Sequence, residues 1–494
     1  MTKRLKMIGR VKELEILSNA CDKRTSQLIA VYGRRRIGKT YLINHMFSEH
    51  KKECLFFRFT GSYLLDSSTQ KDNFIEAIHD WFKEEPTTSI ENWMSAFNFL
   101  KRTIQKLQNQ NQKIVIFLDE VPWIDKKNNG GFIGALGHFW NEFALNNTNN
   151  IVLILCGSNS SWIKKKIFED TSGPLYQRLD IKIHLKPFDL KETKEYLLKE
   201  KKFIIDDKTI AETYMIFGGV AKYLSLLDSS KTIAANIDEL IFNSDGHLNK
   251  EYSEVLKSLF DTKASYYSSI IEILSSKQSG MTQTKIAKAL GEKSGSKIKD
   301  AMEELSEAGF IIGLSKLHSK INANYIICDP FILFYNKWVR VFSKNELISL
   351  QKPYFSTIMG TQSYAIWSGF AFEILCLSNI DLYLQTRMTK GLAKNYGYWS
   401  FPGNEDDSGA QIDFIVEYEN SVYDIVECKF YNKEFIISKE YKENILHKIE
   451  MFKKYALKGK YDIKLIMLTT YGCEKNNHYN SLNIVQDIDL ESLL

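Results

Sequence analysis

No two cysteines in this sequence have the CxxC spacing of a metal or redox motif, and none of the seven has a histidine partner at zinc spacing. Cys21, Cys54, Cys156, Cys328, Cys376, Cys428 and Cys473 are scattered singly, which argues against a structural zinc site and against a disulfide framework. Long apolar runs are also missing. None approaches bilayer length, and the opening MTKRLKMIGR has no apolar signal core, so a cytoplasmic protein without a membrane segment is expected. No Pro-rich or collagen-like tract and no internal repeat is visible, and the Asn-rich pieces at Asn128 and Asn146 to Asn150 read as loops. A strong excess of one charge is lacking too: the net charge is +5 over 494 residues. That permits a local basic surface for nucleic acid without arguing for one.

What is present is a globular composition, 44% apolar and 25% charged, in a chain too long for one ordinary core. The most specific stretch is QLIAVYGRRRIGKTYLINHMF, from Gln27 to Phe47. An apolar β-rich run, Leu28 to Tyr32, enters a loop at Gly33, and the loop closes with Gly38, Lys39 and Thr40 before an amphipathic segment. This is GxxxxGK[ST] in the strand, loop and helix setting that its mechanism needs. The two glycines let consecutive N–H groups face phosphate, and the helix beginning at Lys39 directs its positive end at the same anion. Gly33, Arg36, Ile37, Gly38, Lys39, Thr40 and Tyr41 are therefore the expected ATP contacts, with the Thr40 hydroxyl on Mg²⁺. For Arg34, Arg35 and Arg36, phosphate, a partner and a solvated loop face all remain open.

Downstream, KIVIFLDE (Lys113 to Glu120) runs five apolar residues into two carboxylates, as a buried parallel strand does at its ligand end. Asp119 is expected in the Mg²⁺ shell and Glu120 as general base. A fourth run, Ile151 to Leu155, ends at Cys156-Gly157-Ser158-Asn159, where Ser158 or Asn159 could sense the γ-phosphate; a plain Gly-Ser turn is the alternative. A fifth strand is expected over Ile181 to Leu185.

The ordered set IGRVKEL, GRRRIGKT, FLDEVPW, LCGSN, GPLYQR and GGVAKYL resembles the archaeal-type ATPase family within the AAA+/STAND group of P-loop ATPases. That resemblance covers roughly the first half of the chain. It implies an ATP-binding sheet with a helical lid, Arg178 acting near the γ-phosphate and Arg10 near the adenine end. Ala221 stands where members usually carry proline, which bears on how the lid couples to nucleotide.

Residues 190 to 259 are almost wholly helical in pattern. Ser265 to Trp338 reads as three short helices followed by a two-stranded ribbon, a winged-helix layout that offers Lys293, Lys297, Lys299, Lys316, His318 and Lys320 to phosphates. Asp300, Glu303 and Glu304 share the third helix, so DNA contact and a purely interdomain role are both open. In QIDFIVEYENSVYDIVECKF, from Gln411 to Phe430, two β-rich runs flank the turn Glu419-Asn420-Ser421. Strand alternation sets Glu427 and Lys429 on one face. Ionised groups in such apolar runs need a partner, and Asp413 with Glu427 could share a divalent cation while Lys429 handles the attacking water.

The arrangement D-x13-ExK is similar to the PD-(D/E)XK nuclease superfamily, with Ile412 where the family name has proline. The resemblance implies Glu373 as a further metal carboxylate. The helix from Lys439, with Lys442, Lys448, Lys453 and Lys454, could line a nucleic-acid groove, but Glu440, Glu443 and Glu450 dilute it and a solvated face is the commoner explanation; Tyr441 and His447 could touch phosphate but more often such residues pack.

The expected fold class is thus α/β multidomain: a P-loop ATPase core over residues 1–189, a helical lid over 190–262, a winged helix over 263–342 and a restriction-endonuclease-like α/β domain over 343–494. The expected function is an ATPase, using ATP and Mg²⁺, coupled to a metal-dependent DNA nuclease. The alternative is a nucleotide-controlled DNA- or partner-binding regulator whose nuclease-like domain does not cut, and homo-oligomers and protein partners stay open.

Overall fold

Each apolar run of the first half becomes a strand whose successive side chains enter opposite cores. In the computed structural model, residues 7–49, 54–86, 89–107, 113–125, 131–147, 150–317, 323–350 and 353–494 are described, so Asn128, His318 and Lys320 lie outside. The chain divides into two compact units, Met1–Pro187 and Phe188–Leu494.

The first unit is built on β1 (Gln27–Tyr32), β2 (Cys54–Thr60), β3 (Lys113–Asp119), β4 (Val152–Gly157) and β5 (Ile181–His184). They form a parallel sheet in the order β2-β3-β4-β1-β5. Along β3, Ile114, Ile116 and Leu118 join one hydrophobic cluster with Phe57, Phe74 and Trp93. Val115 and Phe117 join the other, with Ile37, Leu42 and Leu17. This two-sided burial is why β3 and β4 read as unbroken apolar runs rather than as alternating ones. The order also matters for chemistry. Because β4 lies between β1 and β3, its C-terminal end separates the loop after β1 from the carboxylates after β3.

In the second unit the helices Leu190–Glu195, Asp207–Phe217 and Ala221–Ser225 lead, and Glu251–Phe260 follows. Next come the helices Ala264–Ser275, Gln283–Ala289 and Ser296–Glu307, with β6 (Met281–Thr282), β7 (Ile311–Leu314) and β8 (Asn324–Ile327). Thr282 caps the second of these helices, its hydroxyl accepting from the Lys285 N–H. The ribbon has three strands, not two, in the order β6-β8-β7. Beyond β7 the chain does not stand free: the Leu317 N–H donates to the Tyr398 carbonyl at 3.0 Å, and Lys316 forms a β-bridge with the same residue. Gly397 permits that approach, since a Cβ there would sit 2.4 Å from the Ser315 carbonyl oxygen.

Tyr398 belongs to β9 (Ala393–Phe401), the edge of a second sheet with β10 (Ala410–Tyr418), β11 (Val422–Lys429), β12 (Asp462–Thr469) and β13 (Gln486–Ile488). β10 is antiparallel to both neighbours, and β11, β12 and β13 run parallel, so the sheet is mixed. The first helices of this unit share one continuous core with its last sheet. Leu190, Ile210, Tyr214 and Phe217 belong to the same buried cluster as Trp367, Phe372, Phe414 and Val426. The Leu190 N–H, at a helix start that would otherwise leave it unsatisfied, donates to Asn379 Oδ1 at 2.8 Å. No single helix among the described residues is long and apolar enough to cross a membrane.

Candidate functional site

At the end of β1 the backbone takes conformations that only glycine adopts without strain: φ is +145° at Gly33 and +95° at Gly38. Gly33 is also pressed against the Leu185 carbonyl, where a Cβ would lie 2.1 Å from the oxygen. Over Gly38 the space is open, with nothing within 4 Å of a built Cβ. The loop is therefore held on one side against the chain after β5 and open over Gly38. Arg10 braces it from below, its buried guanidinium donating to the Ile37 carbonyl at 3.1 Å. This places Arg10 on the loop backbone.

Lys39 is buried, and its ammonium donates to the Gly33 and Arg34 carbonyls, each at 2.9 Å, and to Ser158 Oγ at 3.0 Å. Ser158 in turn donates its hydroxyl to Glu120 Oε1 at 2.5 Å and its N–H to Glu120 Oε2 at 3.0 Å. Thr40 Oγ1 donates to Asp119 Oδ2 at 2.7 Å. The sheet order explains this convergence, because Ser158 follows β4, the strand between the two halves of the site. Glu120 has φ +50° at the start of the short helix Val121–Ile124, a left-handed conformation that turns its side chain back toward β4. Tyr41 is exposed and stacks on His45, and Arg35 lies over the Trp123 ring at 5.8 Å. Arg36 has φ +69°; Arg178 is exposed just before β5.

The arrangement fits a triphosphate with a divalent cation: an amide-lined seat, an ammonium group bonded only to neutral oxygens, and a hydroxyl already on a carboxylate. Arg58 also reaches this centre, 3.5 Å from Asp119 Oδ2. Sequence reasoning passed it over; the signal was a lone cation inside the apolar run CLFFRF.

The carboxylates of the second unit are held differently. Glu427 is buried on β11, and both of its oxygens are engaged: Oε2 accepts from Tyr441 Oη at 2.6 Å and Oε1 from Lys448 Nζ at 2.8 Å. Lys429 Nζ lies 3.8 Å away. Burial alone would raise the pKa of Glu427, but the Lys448 and Lys429 ammonium groups and the two hydrogen bonds hold it below the ordinary carboxylate value. Burial and the adjacent carboxylate push the Tyr441 hydroxyl upward. Lys448 thus points into the protein, toward neither the groove nor the solvated face that its helical position allowed. His447 bonds Ser408, and Lys454 bonds Asp407.

Glu373, Lys429, Gln411, Lys208 and Tyr441 border one cavity of about 940 Å³ within this unit. The side chain of Asp413 lies outside the described residues; its backbone is one position before the registered pair Phe414↔Val426. Among the described residues no group of three or more His, Cys, Asp or Glu side chains could hold a metal ion. In the segment expected to be a winged helix, Lys297 pairs with Glu292 at 2.6 Å and Lys299 with Glu303 at 3.7 Å.

Comparison with known proteins adds the following. Residues 7–227 match the model of an ATPase domain found predominantly in Archaea. An uncharacterized protein of Methanocaldococcus jannaschii is 28% identical over 371 residues, 74% of this chain and 75% of that protein. An uncharacterized ATP-binding protein of the same organism is 20% identical over 315 residues, 55% of this chain and 84% of that protein. Among solved structures, a Walker-type ATPase of Pyrococcus abyssi covers 68% of this chain and 97% of its own, at 16% identity and a TM-score of 0.49. The Aeropyrum pernix ORC2 protein covers 73% and 99%, at 14% identity and a TM-score of 0.43.

Proposed function

With residues 7–227 forming an archaeal-type P-loop ATPase domain, we propose that the chain is an ATP-hydrolysing regulator in which nucleotide controls how the second unit holds DNA without cutting it. The observation that carries this reading is where the matched region ends. Its last helices, from Leu190 to Ser225, are packed into the core of the second unit with Phe414 and Val426 of the C-terminal sheet. A lid that responds to nucleotide then moves with the whole second unit, because close-packed cores transmit displacement rather than absorb it.

At the nucleotide, the N–H groups between Gly33 and Tyr41 cradle the phosphates, Lys39 neutralises them, and Arg10 keeps the loop in shape through Ile37. Mg²⁺, held by Thr40 and Asp119, supplies charge neutralisation for phosphoryl transfer. Glu120 takes a proton from the attacking water once Ser158 releases it, and Arg178 supplies positive charge near the γ-phosphate.

Holding rather than cutting is favoured by Glu427. A carboxylate whose oxygens already accept from a lysine and a tyrosine has little left to offer a metal ion. Lys453, Lys458 and Lys460, exposed at the end of the helix Lys439–Ala456 and just beyond, offer phosphate contacts. The winged helix contributes less, since Lys297 and Lys299 of its third helix pair with Glu292 and Glu303 and its wing is bonded to β9.

A second reading, metal-dependent cutting by Asp413, Glu427 and Lys429 with Glu373, has one observation in its favour: Glu373 and Lys429 border the same cavity beside Glu427. The experiment is to incubate linear, nicked and single-stranded DNA with the protein, Mg²⁺ or Mn²⁺, and with or without ATP, beside Asp413→Ala and Lys39→Ala. Retention of intact DNA supports the regulator. Metal-dependent products lost in Asp413→Ala replace it with the nuclease, and ATP hydrolysis with no DNA retained or cut overturns both.

A further inference from the structure

Arg58 has no part in the roles assigned so far, yet it is built into the nucleotide centre from the next strand out. On β2 it stands opposite Phe117 of β3, and Thr60, two residues on, stands opposite Asp119. Its guanidinium is fixed from several sides. Nε and Nη2 donate to Thr60 Oγ1 at 3.2 and 3.1 Å, and Cζ lies 5.8 Å from the centre of the Phe117 ring. Nη2 then reaches to 3.5 Å from Asp119 Oδ2.

The same oxygen, on a side chain only 3% exposed, accepts the Thr40 hydroxyl. A buried carboxylate needs positive charge nearby, and Lys39 is turned away to the loop carbonyls and Ser158. Arginine is a permanent cation with rigid donor geometry, so it supplies that charge at any working pH.

We propose that Arg58 is a positioning residue that competes with the divalent cation for Asp119 Oδ2, and so sets how much metal the nucleotide site requires. The inference rests on reading Thr40 and Asp119 as the metal end of that site. Two cations cannot share one carboxylate oxygen at contact distance without mutual repulsion, so metal entry requires Nη2 to draw away from Asp119. Its side chain is 32% exposed, which leaves room for that movement. Arg58 then acts as a threshold: metal arriving with the triphosphate, whose oxygens supply further ligands, displaces it, whereas free metal at low concentration does not.

The test is Mn²⁺ binding to the full chain, followed by the loss of the free-ion electron paramagnetic resonance signal, with and without a non-hydrolysable ATP analogue. Arg58→Met keeps length and removes charge; Arg58→Lys keeps charge but not the fork. Without nucleotide, Arg58→Met should bind Mn²⁺ about tenfold more tightly than the native chain, with Arg58→Lys in between. Unchanged or weaker Mn²⁺ binding in Arg58→Met, with the native thermal midpoint retained, overturns the assignment. If Arg58→Met proves unstable, the order of Mn²⁺ affinities for Arg58→Lys and the native chain decides alone, tighter binding by the lysine variant supporting competition and equal or weaker binding refuting it. If no form of the protein takes up Mn²⁺ even with the analogue, Thr40 and Asp119 are not a metal site and the underlying reading fails too.

Discussion

Lys39 and Asp119 in the first unit and Glu427 in the second are buried charges, with Glu120 and Lys448 half-buried beside them, but the two groups are satisfied in opposite ways. In the first unit the closest partners are mostly neutral: carbonyls and a hydroxyl for Lys39, the Thr40 hydroxyl for Asp119, and Ser158 for Glu120. In the second unit a carboxylate is matched directly by ammonium groups and a phenol. Neutral partners satisfy hydrogen bonding without cancelling charge, so the first centre keeps its field for a charged ligand. The second centre spends its charge internally. Burial is similar in the two; what separates ligand chemistry from structure is the kind of partner.

That contrast can be broken at several points. The largest effect is expected from Glu120→Gln, which should lower ATP hydrolysis about a thousandfold while leaving ATP affinity near native, as phosphate release and calorimetry would read. Equal losses in both would mean that Glu120 serves binding. Next, Lys448→Met removes the cation from a buried carboxylate and should cost about 3 kcal/mol of stability, seen in denaturant unfolding. Much of that loss should return when Glu427→Gln is added, since the orphaned charge is then gone.

Lys39→Met should behave in the reverse sense: ATP affinity falls about a hundredfold, close to 2.7 kcal/mol, while the unfolding midpoint scarcely moves, because its partners are neutral. A smaller effect concerns acid. The folded-state pKa of Glu427 lies below its ordinary value of 4.5, so its contribution to stability is present above that value and is lost as the pH falls through the folded one. Unfolding followed from pH 6 downward should therefore steepen below about pH 4.5, and less so in Glu427→Gln. The smallest effect is expected at Lys297→Ala. Solvent screens this exposed pair with Glu292, so the unfolding midpoint should scarcely move, and DNA affinity should not change.

Much of the first unit was legible in the sequence, because its strands are buried on both faces and each ends in a short polar signature. GRRRIGKT and LDE announce the loop and the carboxylates without any knowledge of strand order, whereas CGSN left Ser158, Asn159 and a plain turn open until the strand order brought Ser158 between them. Arg58 was not legible: its partner Asp119 is brought near only by the β2–β3 register. The same holds for Glu427. ExK on a strand suggests a metal site, but Lys448, from a helix 21 residues on, reaches Glu427 only through the packing of that helix on the sheet. Helical position placed it with the other lysines on a solvated or groove-lining face, and helical position alone does not reveal an inward-turned ammonium. Nor did any pattern in the wing sequence show that residues 315–317 run alongside β9.

The claim that nucleotide governs the second unit is tested most directly by the affinity for labelled DNA, measured by fluorescence anisotropy with Mg²⁺ present and with ATP either absent or saturating. The account predicts that ATP changes the affinity about tenfold or more in the native chain, within the range usual for linked sites, and leaves it unchanged in Lys39→Met. An affinity indifferent to ATP in the native chain, with ATP demonstrably bound, would contradict it.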